Sequence, residues 1–270
     1  MNFPILRSIL YYRADPRIFT MDHILLFLFT FVVGCFIGGT GIGGVLLVPY
    51  LVFILGVEAP LAVASTMFAY LFSGATATFA YARHGSIRWP MVWAICGGAA
   101  PAAFLGSLTV WSVPGEFLLA GIAVLTIFSG VRTLRPPKGA RNDNEDIGAP
   151  ALISVGGISG FVSALVGAGG AVVVIPLLFA MGAPALLAIG LSQAIQFVIA
   201  VTATVGNLAV GNVDFVVGGI LAVAMVAGIL LGTRVAHTLP VDTLRKTVAI
   251  VLTLVGLSIA FQLARDAITG

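Results

Sequence analysis

Charge is what this sequence has least of. Only 13 lysines and arginines and 10 aspartates and glutamates are spread over 270 residues. Charged residues make up 9% of the chain, where a soluble domain carries about 25%. A water-facing surface cannot be built from so few charges, so a soluble globular protein is excluded. The net charge of +3 is small, and the basic residues sit in short stretches between apolar runs, which argues against a nucleic-acid partner. Cysteine is nearly absent too. Cys35 and Cys96 lie singly inside apolar stretches and read as small buried hydrophobes, with neither a disulfide framework nor a metal-site spacing. The three histidines, His23, His84 and His237, stand far apart near the ends of apolar runs. There is no HExxH, no GxSxG and no carboxylate pair inside an apolar run, so no enzyme signature, metal site or cofactor is expected.

What the chain has instead is hydrophobic residues, 60% of the total, and 33 glycines. Its solvent is therefore lipid. We expect an all-α polytopic membrane protein of bacterial inner-membrane type. Apolar runs fall at about 24–55, 60–82, 89–111, 116–134, 151–181, 184–209, 214–235 and 246–264. Most match the ~20 residues that cross a hydrocarbon core. Residues 1–23 form a basic tail, retained and suited to the membrane surface. Residues 24–134 form a first membrane repeat, 135–150 a polar linker and 151–264 a second repeat.

The repeat is legible at one constant offset of 126. Gly41, Gly43 and Gly44 fall on Gly167, Gly169 and Gly170, and Gly56 falls on Gly182. Thr76-Ala77-Thr78 falls on Thr202-Ala203-Thr204, and Gly85, Gly106 and Gly130 fall on Gly211, Gly232 and Gly256. An offset that holds across four successive segments indicates internal duplication. Lysine and arginine placement gives the topology. Eight crossings with the N-terminus inside put ten basic residues inside against three outside. A rival arrangement turns the two long glycine-broken segments into re-entrant hairpins, inverts the repeats and scores nine against four with the N-terminus outside. The charge count favours eight crossings.

The two long segments are broken at Gly38-Gly39-Thr40-Gly41-Ile42-Gly43-Gly44 and at Gly167-Ala168-Gly169-Gly170. The first contains GxGxxG, but in mid-membrane, without the strand and helix that a dinucleotide site needs. Close helix packing accounts for glycines in lipid. Breaks at matched positions also suit a helix interrupted beside a polar cavity, with the half-helix N–H groups facing an anion. No charged side chain lies at mid-span. The polar residues there are Ser65, Thr66 and Tyr70 in the second segment and Ser192, Gln193 and Gln196 in the sixth. These either hydrogen-bond between helices or contact substrate. Thr76, Thr78, Thr202 and Thr204 are expected to bond back to the preceding helical turn. Arg83 and Arg88, at span ends, attract an anion at the entrance at most.

Two halves of four segments, each opening on a glycine break followed by Pro49 or Pro176, resemble the TauE/SafE family of permeases, also called sulfite exporters. The prolines depart from the offset by one residue. The resemblance implies transport of sulfite, sulfonates, sulfoacetate or other small anions. The expected substrate contacts are Thr40, Gly41, Gly43, Gly44, Ser65, Thr66, Tyr70, Gly167, Gly169, Gly170, Ser192, Gln193 and Gln196. The partners expected are a small anionic substrate and the bilayer, with a coupling proton or sodium ion and a homo-oligomer both admitted. The alternatives are a cation-coupled carrier of another solute and a non-transport membrane subunit.

Overall fold

A computed structural model describes residues 16–83, 85, 87–134, 147–211, 213–236 and 241–269. The basic tail before residue 16, most of the polar linker and His84 lie outside the described residues. The described chain is helical: α1 (Pro16–Thr40), a 3-10 turn (Gly44–Leu46) leading into α2 (Leu47–Phe53), α3 (Ala59–Arg83), α4 (Trp89–Val110) and α5 (Gly115–Leu134), then α6 (Ala149–Val166), α7 (Ala171–Ala180), α8 (Ala185–Val210), α9 (Phe215–Ala236) and α10 (Val241–Thr269). Several bounds recur at the offset of 126. Thr40 and Val166 end α1 and α6, and Ala59 and Ala185, Trp89 and Phe215, and Gly115 and Val241 open the paired helices. The one-residue slip of the prolines follows from the 3-10 turn, which stands where α7 has already begun.

Seven helices among the described residues are long and apolar enough to cross a membrane. Their outward faces carry large apolar side chains, such as Trp93 at 73% and Phe117 at 69% exposure, while the interior holds hydroxyls and amides. That is the reverse of a protein in water, and the chain is a multi-pass membrane protein.

Small residues fix which helices touch. A Cβ on Gly34 would stand 2.7 Å from the Met225 carbonyl oxygen, and one on Gly38 would stand 2.6 Å from that of Ile229. Both numbers rise together, so α1 and α9 run parallel, with backbones close enough that only glycine fits. By the same reading Gly156 lies against Ile95 and Gly160 against Ala99, so α4 and α6 are parallel. Gly130 lies against Ala249 and Gly256 against Ala123, so α5 and α10 are antiparallel. At the centre α3 and α8 cross where Gly74 meets the Phe197 backbone.

These directions correct the topology. The Asp214 N–H donates to Ser65 Oγ at 3.1 Å, which puts the start of α3 beside the start of α9. Because α1 is parallel to α9, α1 starts on that face too. The segment before α3 therefore leaves a face and returns to it. Its return is visible in the ring of Tyr50 on α2, stacked on Phe29 of α1 with centroids 4.2 Å apart. Residues 16–53 are a re-entrant hairpin, not a crossing. The second half repeats this from the opposite face: α6 starts where α4 starts, and α8 starts there as well. The directions give each half three crossings, α3 to α5 and α8 to α10, while α1 and α6, although each long and apolar enough to cross, turn back at their glycine tips, and the halves are inverted about an axis in the membrane plane. The expectation of eight crossings with both halves in one orientation fails. Charge placement could not expose it, because the two arrangements differ by a single residue in the count. Below, the first face is the one on which α1, α3 and α9 begin.

Candidate functional site

The tips of both hairpins reach the middle of the molecule. At the first tip the chain reverses through Gly41 at φ 76 and Gly43 at φ 150. At the second it reverses through Gly167, Gly169 and Gly170 at φ 71, 72 and 86. A side chain at such angles is strained, so the glycines make the turns as well as the packing. Thr40 assists locally. Its hydroxyl donates to the Phe36 carbonyl at 2.8 Å and accepts the Ile42 N–H at 3.3 Å, replacing helix bonds lost at the turn.

Tyr70, near the centre of α3, stands between the tips. Its ring packs against Gly44 on one side and Gly169 on the other, and its hydroxyl donates to the Gly167 carbonyl at 3.4 Å. It is fully buried. Across from it α8 brings Gln193 against Gly41 and Gln196 against Gly170. The Gln196 amide donates to Ser73 Oγ at 3.2 Å. Gln193 is fully buried, and neither its amide nitrogen nor its carbonyl oxygen has a hydrogen-bond partner among the described residues. Thr66 Oγ1 is likewise buried and unpartnered. The half-helix α7 starts at this point, with Gly170 as its cap, and so does the 3-10 turn into α2. The first N–H groups of a helix have no partner within it, and its positive end faces the start. The centre therefore offers donors from two helix starts, one phenol and two amides, without a cation.

Eleven of the thirteen residues expected at the site gather on the two tips and the facing turns of α3 and α8. The other two are engaged elsewhere. Ser65 sits at the α9 start with Asp214, and the Ser192 hydroxyl donates to the Ile189 carbonyl at 2.7 Å on its own helix. Ser73 was not foreseen. Three residues after Tyr70, it shares that residue's helical face, but the offset pairs it with an isoleucine, so the repeat gave no signal. Thr76 and Thr202 bond back as expected, to the carbonyls of Phe72 at 2.8 Å and Val198 at 3.0 Å. Thr78 and Thr204 do not; their hydroxyls have no partner. Arg83 lies at the second face with its guanidinium 4.2 Å from the centre of the Phe79 ring, far along α3 from Tyr70. A cavity of about 510 Å³ opens near that face, lined by Arg88, Trp89, Met91 and Leu152 among others, and it does not reach the tips.

Comparison with known families assigns the chain that carries this centre. The model of the sulfite exporter TauE/SafE family matches residues 26–259. The chain belongs to that family. Two curated relatives come from Bacillus subtilis (strain 168). The probable membrane transporter protein YunE is 24% identical over 256 aligned residues, covering 84% of this chain and 91% of its own. The probable membrane transporter protein YjnA is 23% identical over 246, covering 84% and 95%. No solved structure matches. The family and the relatives' names make this chain a membrane transporter and point away from an enzyme.

Proposed function

We propose that this TauE/SafE protein is a secondary transporter for a small organic or sulfur-containing anion of the sulfite, sulfonate or sulfoacetate type. The observation that carries this reading is the wholly buried, unpartnered Gln193 amide beside the Gly41 turn, facing a centre where two half-helices begin. An unpaired amide there costs about 1–3 kcal/mol per group, which a ligand's oxygens would offset. Helix starts and neutral donors suit an oxyanion that must also leave again, because a buried cation would hold it more tightly. Tyr70 fills the space between the tips, and the centre is sealed from both faces, as an occluded stage of alternating access requires. A coupling ion is compatible with the same scheme; a sodium ion would take carbonyl ligands such as that of Gly167 and add to, rather than replace, the effect of the anion. In a bacterial inner membrane the second face is cytoplasmic, by the nine-to-four count of basic residues.

The test is a thermal-unfolding screen of the purified protein with sulfite, sulfoacetate, a simple alkylsulfonate, acetate and chloride, each in sodium and potassium forms. A ligand at about 100 times its dissociation constant adds about 2.7 kcal/mol of stability. Stabilisation by one or more sulfur oxyanions, in both cation forms, is expected. Stabilisation that follows sodium alone would favour the cation carrier and sink the anion assignment.

A further inference from the structure

The hydroxyl of Thr204 and the amide nitrogen of Asn207 share a peculiarity with Gln193. All three residues lie on α8, are buried, and carry a polar atom with no partner among the described residues. With Gln196 they fall within one helical face, since steps of 3, 8 and 3 residues return nearly to the same azimuth. Away from that face α8 meets lipid, with Val205 at 55% and Leu208 at 50% exposure. From Gln193 to Asn207 the polar face rises about 21 Å, from the central tips to the first face. It ends where the Trp111 indole N–H donates to the side-chain oxygen Oδ1 of Asn207 at 3.1 Å and the indole ring lies against Gly211.

The same face recurs on α3, running the other way. At the offset of 126, Gln196, Thr204 and Asn207 correspond to Tyr70, Thr78 and Tyr81. Thr78 also has a buried hydroxyl with no partner among the described residues, and Tyr81, near the second-face end of α3, donates its hydroxyl at 3.4 Å to the carbonyl of Gly38, just before the first tip. A helix that needed these groups only for packing would pair them or replace them with apolar residues. Two inverted rows of unpaired groups, each ending in a residue hydrogen-bonded to a neighbouring helix, are what a wetted route leaves when it is shut.

We propose that the buried polar face of α8 from Gln193 to Asn207 is the anion's route between the central tips and the first face, that the α3 face from Tyr70 to Tyr81 is its counterpart toward the second, and that the Trp111–Asn207 hydrogen bond closes the first of these. The proposal deepens the transport reading and rests on it. A hydrated oxyanion would exchange water for the hydroxyl of Thr204 and the amide of Asn207 as it passes. When Trp111 releases Asn207, the row opens to the first face.

The experiment uses single cysteines at Thr204, Val205, Leu208 and Thr78 in the full chain with Cys35→Ala and Cys96→Ala. A charged, membrane-impermeant thiol reagent is applied to intact cells and to inverted vesicles. Thr204→Cys should react from the first face only, Thr78→Cys from the second only, and Val205→Cys and Leu208→Cys from neither. Adding Trp111→Phe, which keeps the ring and removes the donor, should raise the Thr204→Cys rate about fivefold, the weight of one neutral hydrogen bond. A folded Thr204→Cys protein that stays unreactive with and without Trp111→Phe overturns the route, as does equal reaction at Val205→Cys. If the cysteine variants do not fold, hydroxyl-radical labelling of the unsubstituted protein decides. Oxidation of Tyr70 and Tyr81 ahead of lipid-facing Phe72 and Phe79 supports a wet row, and the reverse order overturns it. Neither readout needs a substrate. A reactive row with no anion stabilisation would therefore count against the transport assignment alone, and anion stabilisation with a dry row would count against the route alone.

Discussion

Gln193 and Gln196 are one helical turn apart and do opposite things. Gln196 has a partner in Ser73, whereas Gln193 holds two polar atoms out of water with none. Methionine is close in volume and flexibility to glutamine and has no need of donors. In Gln193→Met the unfolding temperature should stay level or rise, because an unsatisfied group is removed, while anion stabilisation falls by at least a tenfold loss of affinity. In Gln196→Met the Ser73 bond is lost, and stability should fall by about 0.6 kcal/mol, the mean for such bonds between membrane helices. The pair is measured by thermal melts with and without anion. A stability loss in Gln193→Met with unchanged affinity would make it a packing residue. The two amides were legible in the sequence because an amide in an apolar run is conspicuous. Ser73 and Asn207 were not, since a serine or asparagine in a membrane helix takes its meaning from what it faces, and that is set by the crossing of α3 and α8.

At the scale of the element, each glycine break combines two demands that can be separated by substitution. Gly56 and Gly169 have similar backbone angles, φ 66 and 72. A Cβ on Gly56 would meet open space, while one on Gly169 would stand 3.0 Å from the Tyr70 ring. An L-residue at either position costs about 1–2 kcal/mol of backbone strain. Gly56→Ala should therefore lose that stability and keep its flux in reconstituted vesicles. Gly169→Ala should lose similar stability and its flux as well, because Tyr70 has to move from between the tips. Equal flux in both variants would reduce the break to a turn without a site. The breaks were readable from glycine density at matched positions. Their direction was not. A run of glycines says that a helix stops, while the shared face of the α1, α3 and α9 starts and the contact of Tyr50 with Phe29 say that the chain then doubles back.

For the whole molecule, inversion changes which residues face which compartment, and mainly in the second half. Eight crossings would leave Arg234, Arg245 and Lys246 outside. The inverted arrangement carries them inside, because α9 starts beside the start of α3 and so ends, where α10 begins, on the second face. In exchange, the basic tail and Arg265 go outside, so the charge rule is nearly indifferent, and helix packing decides. Two contacts decide: the Asp214–Ser65 hydrogen bond sets the starts of α3 and α9 on one face, and Gly130 against Ala249 with Gly256 against Ala123 makes α5 and α10 antiparallel, whereas eight crossings would separate those starts and make α5 and α10 parallel. The readout is single-cysteine accessibility at one exposed and one half-buried position in the second half, Lys246 and Asp214, and one exposed position in the first, Glu58. Lys246→Cys should react only from the cytoplasm. Asp214→Cys, beside the α3 start, should react only from outside. Glu58→Cys should also react from outside, and since both arrangements place it there, it serves as the reference. Lys246→Cys reacting from outside together with Asp214→Cys from the cytoplasm would restore eight crossings in one orientation. It would also separate the two glycine tips onto halves that could no longer be exchanged by inversion, removing the symmetry on which alternating access between them depends.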